Sequence, residues 1–226
     1  MSVFRHVMPV AVAAVAATLC GSAAAAQAPR APVSFLRAIA CPSVTQCTAV
    51  GQGGLEFTFN PATPGEPTGV VIAGNVYFTG LACPSTTQCT VVDSPGQEIT
   101  FNPQAPAAPA AVTVDASGEV TAVACASPSQ CVAVDAGGRA VTFNPAARAN
   151  PTPVAIDAGA SPAAVTCPSL SQCTAVDSTG KEVTFNPSAP APASPLTVDP
   201  DAAPLGLTGL ACPSSVQCTA VDSAGR

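Results

Sequence analysis

Ten paired cysteines are the residues of this sequence best placed to do chemistry. Cys41/Cys47, Cys83/Cys89, Cys125/Cys131, Cys167/Cys173 and Cys212/Cys218 each lie six positions apart, and an eleventh, Cys20, sits in an apolar leader. Thiols at this spacing can hold a metal, act as nucleophiles or oxidise to disulfides. Zinc sites usually leave two to four residues between their cysteines and often add histidine. Here five residues intervene, and the one histidine is His6. A catalytic thiolate needs a base or a cation beside it, and a Ser-His-Asp triad fails for the same lack of histidine. Lys181 is the single lysine, and at a strand-turn position it reads as a solvated charge rather than half of a Ser-Lys dyad. Disulfides within each repeat are the favoured reading. Each pair travels with its own repeat, and pairing across repeats would strand one unit in an array of five.

The compartment is set by the start of the chain. Arg5 and His6 precede an apolar run from Val7 to Leu19, and Ala24-Ala25-Ala26 fits a small-residue cleavage site. Residues 1–26 therefore read as a signal peptide, and the run is too short for a comfortable membrane span. Cleavage near Ala26 yields a secreted protein. A lipid-anchored Cys20 is the lesser alternative, because Leu19 stands where a lipobox wants Gly or Ala. Losing Cys20 leaves an even number of cysteines, as a disulfide framework requires. Acidic residues outnumber basic ones by 13 to 7, with no basic cluster, which argues against nucleic acid or anionic lipid as a partner.

The cysteine pairs must be positioned by a repeat. Their first members fall 42, 42, 42 and 45 residues apart, inside segments such as Cys83-Pro84-Ser85-Thr86-Thr87-Gln88-Cys89. Fixed periods of this size mark solenoids and propellers. Each unit carries four short runs with period-two alternation, the mark of half-buried strands. In the second unit these are Val76–Cys83, Cys89–Val92, Glu98–Phe101 and Ala111–Val114. Between the runs, Asp177-Ser178-Thr179-Gly180 and its equivalents at Asp93, Asp135 and Asp222 suit a type I turn, Asp first and Gly last; the first unit has Gly51 instead. Asn60-Pro61, Asn102-Pro103, Asn144-Pro145 and Asn186-Pro187 end the third run, because proline cannot donate to a ladder. Phe59, Phe101, Phe143 and Phe185 are expected in a core between neighbouring units.

Four antiparallel strands per 42 residues is the size of a β-propeller blade. The expected fold is all-β: four full blades (35–76, 77–118, 119–160, 161–205) and a partial fifth (206–226), after a linker at 27–34. Counted this way the ring is incomplete, and the chain reads as a piece of a longer propeller; a linear β-solenoid is the other shape that fits the period. The units resemble the Cys-Pro-Ser…Cys-x-Ala-Val-Asp…Gly repeats of secreted bacterial propeller proteins. More loosely they are similar to the Asp-box repeats of sialidase-like propellers, with Asp177-Ser178-Thr179-Gly180 and Thr184-Phe185 in place of Ser/Thr-x-Asp-x-Gly-x-Thr-Trp. There is no Trp, and the Trp-Asp and Gly-His signatures of intracellular Trp-Asp propellers are absent.

No catalytic, cofactor-binding or metal-binding residue is assigned. A sialidase-like site would need an arginine cluster and a tyrosine nucleophile, whereas the arginines fall at scattered repeat phases and Tyr77 is the sole tyrosine. Asp residues that recur with every unit suit turns better than one active site, and the Asp-Ser-x-Gly turns lack the acidic density of known calcium loops. The expected function is a secreted, non-enzymatic binding or structural module with a protein or glycan ligand. The alternative is a carbohydrate-active hydrolase using carboxylates that break the repeat, such as Glu66 or Asp201.

Overall fold

The alternation in each repeat is realised as strands. The computed structural model describes residues 35–147, 149–202 and 206–225; the expected signal peptide, the linker and Leu205 lie outside them. The first unit forms β1 (Leu36–Ser43), β2 (Gln46–Gly51), β3 (Leu55–Phe59) and β4 (Val70–Val71). The second forms β5 (Phe78–Ser85), β6 (Gln88–Asp93), β7 (Gln97–Phe101) and β8 (Val112–Thr113). The third forms β9 (Val120–Ser127), β10 (Gln130–Asp135), β11 (Arg139–Phe143) and β12 (Val154–Ala155). The fourth forms β13 (Pro162–Ser169), β14 (Gln172–Asp177), β15 (Lys181–Phe185) and β16 (Leu196–Thr197). The fifth forms β17 (Leu207–Ser214) and β18 (Gln217–Asp222). Every set pairs in chain order as an antiparallel meander, giving four four-stranded sheets and one two-stranded sheet.

The fourth strands are shorter than the alternation predicts. The carbonyl of Gly96 accepts from both Val114 N at 2.9 Å and Asp115 N at 3.1 Å, and the same fork forms at Gly54, Gly138 and Gly180. Two donors on one carbonyl turn the chain out of the ladder. These glycines have positive φ (+87° at Gly96), and a Cβ there would lie 1.9 Å from the Asp115 carbonyl oxygen. Gly96 thus meets two demands, a left-handed backbone and a close approach, that no other residue satisfies.

Sheets pack in chain order through their first strands: β1 lies against β5, β5 against β9, β9 against β13 and β13 against β17. The second strand of each sheet also packs on the first strand of the next. Close approach demands small residues, which explains the Ala-rich first strands; a Cβ on Gly80 would come within 2.9 Å of Val123 N. Among the described residues no comparable packing joins the fifth sheet to the first, so the propeller-like array is not closed into a ring.

The core lies between sheets. Val50 and Ile72 of the first sheet meet Cys89, Val91, Ile99 and Phe101 of the second. Equivalent clusters join the second sheet to the third and the third to the fourth, around Phe143 and Phe185. Phe101, Phe143 and Phe185 are buried as expected. Phe59 is only half-buried, because it faces away from the second sheet. Leu36 and Ile39 of the same sheet are exposed while their counterparts Phe78 and Leu81 are buried. Disulfides join Cys41–Cys47, Cys83–Cys89, Cys125–Cys131, Cys167–Cys173 and Cys212–Cys218. Each ties the first strand of a sheet to the second across a tight hairpin.

Candidate functional site

The meander gives the array two rims. One carries the Cys-Pro-Ser hairpins and the Asn-Pro turns. The other carries the Asp turns and the links from each fourth strand to the next first strand.

Most recurrent polar residues serve the construction. Asp135 Oδ1 accepts from Gly137 N at 3.0 Å and Arg139 N at 2.9 Å, and Asp177 Oδ1 accepts from Thr179 N at 2.7 Å and Lys181 N at 3.0 Å. The glycines closing these turns donate back to the Asp carbonyls, as a type I turn requires. Asn102, Asn144 and Asn186 each accept on Oδ1 from the amide two residues on. At the hairpin rim Gln46, Gln88, Gln130 and Gln172 donate Nε2 to the turn carbonyl of the next unit, at Thr86, Pro128, Leu170 and Ser215, over 2.8–3.1 Å. These inter-sheet clamps were not read from the sequence. The available signal was a Gln recurring just before every second cysteine, but its partner lies about one repeat away.

A second missed feature is a ladder of hydroxyls ending on a carboxylate. Thr48 and Thr58 share a hydrogen bond of 2.9 Å, and Thr58 Oγ1 donates to Glu56 Oε2 at 2.9 Å. The arrangement repeats through Thr90, Thr100 and Glu98, and through Thr174, Thr184 and Glu182. Burial pushes the Glu56 carboxyl above the ordinary carboxylate range, against the smaller opposing effect of the Thr58 hydroxyl. Burial likewise raises Asp93, opposed by the backbone donors of its turn. Asp157 is raised by burial and by the charge of Asp177, with Lys181 pulling the other way.

On the Asp-turn rim one position changes character from unit to unit. Six residues before the first cysteine of each unit stand Phe35, Tyr77, Glu119, Ser161 and Gly206. The carbonyls of Phe35, Glu119 and Ser161 are held by turn amides at Gln52, Ala136 and Ser178, so the backbone is fixed while the side chain is free to differ. Arg37, Tyr77, Ser94, Glu119 and Thr121 line a groove of about 360 Å³ there. The Arg37 guanidinium sits 4.0 Å over the Tyr77 ring, a cation–π contact, and Tyr77 stays 46% exposed. Glu119 is held at φ +61°, left-handed backbone that costs a non-glycine residue about 1–2 kcal/mol. Beside the groove, Arg139 Nε donates to Asp135 Oδ2 at 2.6 Å and its Nη2 to Ser117 Oγ at 2.6 Å. Ser117 in turn donates to Asp115, which is fully buried and whose Oδ2 has no hydrogen-bond partner among the described residues.

The carboxylates named for hydrolysis are not brought together. Glu66 is exposed in the third-to-fourth strand loop of the first sheet, and Asp201 is exposed after β16 of the fourth. They stand on opposite rims of non-adjacent sheets. Among the described residues no group of three or more His, Cys, Asp or Glu side chains could hold a metal, and no helix is long and apolar enough to cross a membrane.

No protein-family model matches the sequence, and no curated protein matches it. Solved structures do. The WD40 β-propeller domain of Doa1 aligns with a TM-score of 0.65 at 8% sequence identity, covering 85% of this chain and 63% of that one. This chain therefore spans less than two thirds of that chain's length. At such low identity the likeness shows the fold alone, and the fold it shows is the β-propeller.

Proposed function

We propose that this protein is a secreted, non-enzymatic binding module whose ligand-contacting surface is the Asp-turn rim around Arg37, Tyr77 and Glu119. The observation that carries the reading is Glu119, an exposed charged residue kept in a left-handed conformation where glycine would relieve the strain. Strain retained beside a groove is a sign of selection for something other than stability. An exposed Tyr paired with an Arg is also the kind of anchor that dominates protein–protein interfaces, so a protein ligand is favoured over a glycan. Five disulfides and the likeness of the repeats to secreted bacterial propeller repeats support a place outside the cytoplasm.

The test is a displayed peptide library and a glycan array, each probed with the wild type, Tyr77→Ala and Glu119→Gly, beside a panel of chromogenic glycosides. Peptide ligands lost in both variants, with no glycoside turnover, are expected. Turnover abolished by one carboxylate substitution, or binding indifferent to both variants, would overturn the reading.

A further inference from the structure

Three departures from the repeat, in three consecutive units, meet in the rim groove. Four residues before the first cysteine, the first unit has Arg37 where the others have Thr79, Thr121, Ala163 and Thr208. Six residues before it, the second unit alone has a tyrosine, Tyr77, and the third alone a charge, Glu119. All three departures line the same groove. The first strands pack in chain order, which sets the groups in the order cation, ring, carboxylate. Neither Arg37 nor Glu119 forms an ion pair or a side-chain hydrogen bond among the described residues, and they do not pair with each other. Arg139, by contrast, is spent on Asp135 and Ser117, and Lys181 lies in the field of Asp157. Both unpaired charges are nevertheless held in place. The Arg37 guanidinium lies 4.0 Å over the Tyr77 ring. Glu119 N donates to Ser94 O at 2.6 Å, and Glu119 O accepts from Ala136 N at 3.0 Å. The threonine hydroxyls of the groove are already committed to the scaffold. Thr79 Oγ1 donates to Val92 O at 3.4 Å, and Thr121 Oγ1 donates to Val134 O at 3.2 Å and to Pro162 O at 2.6 Å.

We propose that the ligand of this groove is a peptide segment of mixed charge, whose carboxylate is read by Arg37 and whose basic side chain is read by Glu119, with Tyr77 covered between them. This rests on the reading of the rim as the ligand-contacting surface and adds the charge pattern of the ligand. A segment of one sign satisfies one of the two charges and sets a like charge near the other, which discriminates against it. A neutral segment leaves both covered and unpaired. Because the cation is stacked on a ring and the carboxylate stands on backbone pinned at both its amide and its carbonyl, little ordering is left to the moment of binding. Two opposite charges on either side of one ring also fix the direction in which the segment lies.

The experiment uses four pools of short labelled synthetic peptides, capped at both ends so that no terminal charge contributes. One pool carries an Asp and a Lys at varied spacing, one carries two Asp, one two Lys, and one no charge. Each is titrated into the oxidised protein at low ionic strength and followed by anisotropy. The mixed pool should bind the wild type about fivefold or more tighter than the neutral pool, as two partly exposed charge contacts allow, and tighter than either single-sign pool. This arm does not depend on how any variant folds. Arg37→Glu should move the preference to the two-Lys pool, Glu119→Lys should move it to the two-Asp pool, and the double variant should return it to the mixed pool. Equal binding of all four pools, still lost in Tyr77→Ala, overturns this proposal and leaves the rim reading standing. Single reversals that leave the preference unmoved overturn it as well. Binding of no pool, or binding indifferent to Tyr77→Ala, overturns the rim reading and this proposal with it.

Discussion

Phe143→Ala tests directly how the sheets are held together. Phe143 is 5% exposed and packs with Val92, Val114, Val120 and Val141 between the second and third sheets. Removing such a ring costs about 3–5 kcal/mol, from lost transfer energy and from the cavity left behind. The repeat supplies its own control. Phe59 pairs with Cys47 in the register in which Phe143 pairs with Cys131, yet Phe59 is only half-buried. The same truncation there forfeits about 1–2 kcal/mol, roughly half of a full burial. One kcal/mol lowers the melting temperature of a domain of this size by about 2–4 °C. Phe143→Ala should therefore melt about 6–20 °C below the wild type, and Phe59→Ala about 2–8 °C below it. Circular dichroism melts under non-reducing conditions measure both. Equal losses, or a loss at Phe143 under about 1 kcal/mol, would mean that the inter-sheet core is not what stabilises the array.

Non-reducing peptide mapping should find only the five intra-repeat bridges, and since each closes a short loop, its removal should cost about 2 kcal/mol. Glu56→Gln should change the pH profile of stability. The folded chain holds the Glu56 proton to higher pH than the unfolded chain does, so the wild type loses stability as pH rises from the unfolded value through the folded one. The variant should out-melt the wild type near pH 7 and match it near pH 4, and an equal gain at both would assign the effect to packing. Glu119→Gly should raise stability by about 1 kcal/mol through relief of its left-handed backbone, and a loss in melting temperature would show that the Glu side chain holds the rim together. Gln88→Ala removes the clamp to Pro128 O and should cost about 0.5–1.5 kcal/mol in thermal melts.

The fold was legible because its determinants are local and repeated. Period-two runs, Asp-x-x-Gly turns and Asn-Pro stops each act within a few residues, and a 42-residue period multiplies the signal. The disulfide pairing was legible for the same reason. What escaped the sequence lies between repeats. Gln46 looks like any polar residue at a strand start until the carbonyl of Thr86 is placed opposite it. Glu56 shares a face with Thr48 and Thr58 only once β2 and β3 are in register. Phe59 was expected to match its three counterparts, since sequence periodicity cannot show that, among the described residues, no sheet packs on that face of the first sheet. The rim groove escaped because Tyr77 and Glu119 are conspicuous only when their equivalence, six residues before a cysteine, is joined to their position beside Arg37.

A core made mostly of Val and Ala, with few large side chains such as Phe78, Phe101, Phe143 and Phe185, is thin for sheets that must hold an array in register. The hairpin rim compensates with directional contacts: a disulfide stiffens each hairpin, and the Gln beside it reaches the next hairpin. A Gln-to-carbonyl bond fixes the stagger of neighbouring sheets, which apolar packing between small side chains leaves loosely defined. The opposite rim adds fewer such contacts, among them Thr121 Oγ1 donating to Pro162 O at 2.6 Å. Its Asp turns are held by their own backbone amides, and the chain between the fourth strand and the next first strand is anchored by main-chain carbonyls. Side chains at Phe35, Tyr77, Glu119 and Ser161 can therefore differ without altering how the sheets stack. Because the hairpin clamps run through main-chain carbonyls and the links are held by their own backbone, the positions of Phe35, Tyr77, Glu119 and Ser161 stay able to vary, and a recognition surface would be expected to arise on positions that can vary.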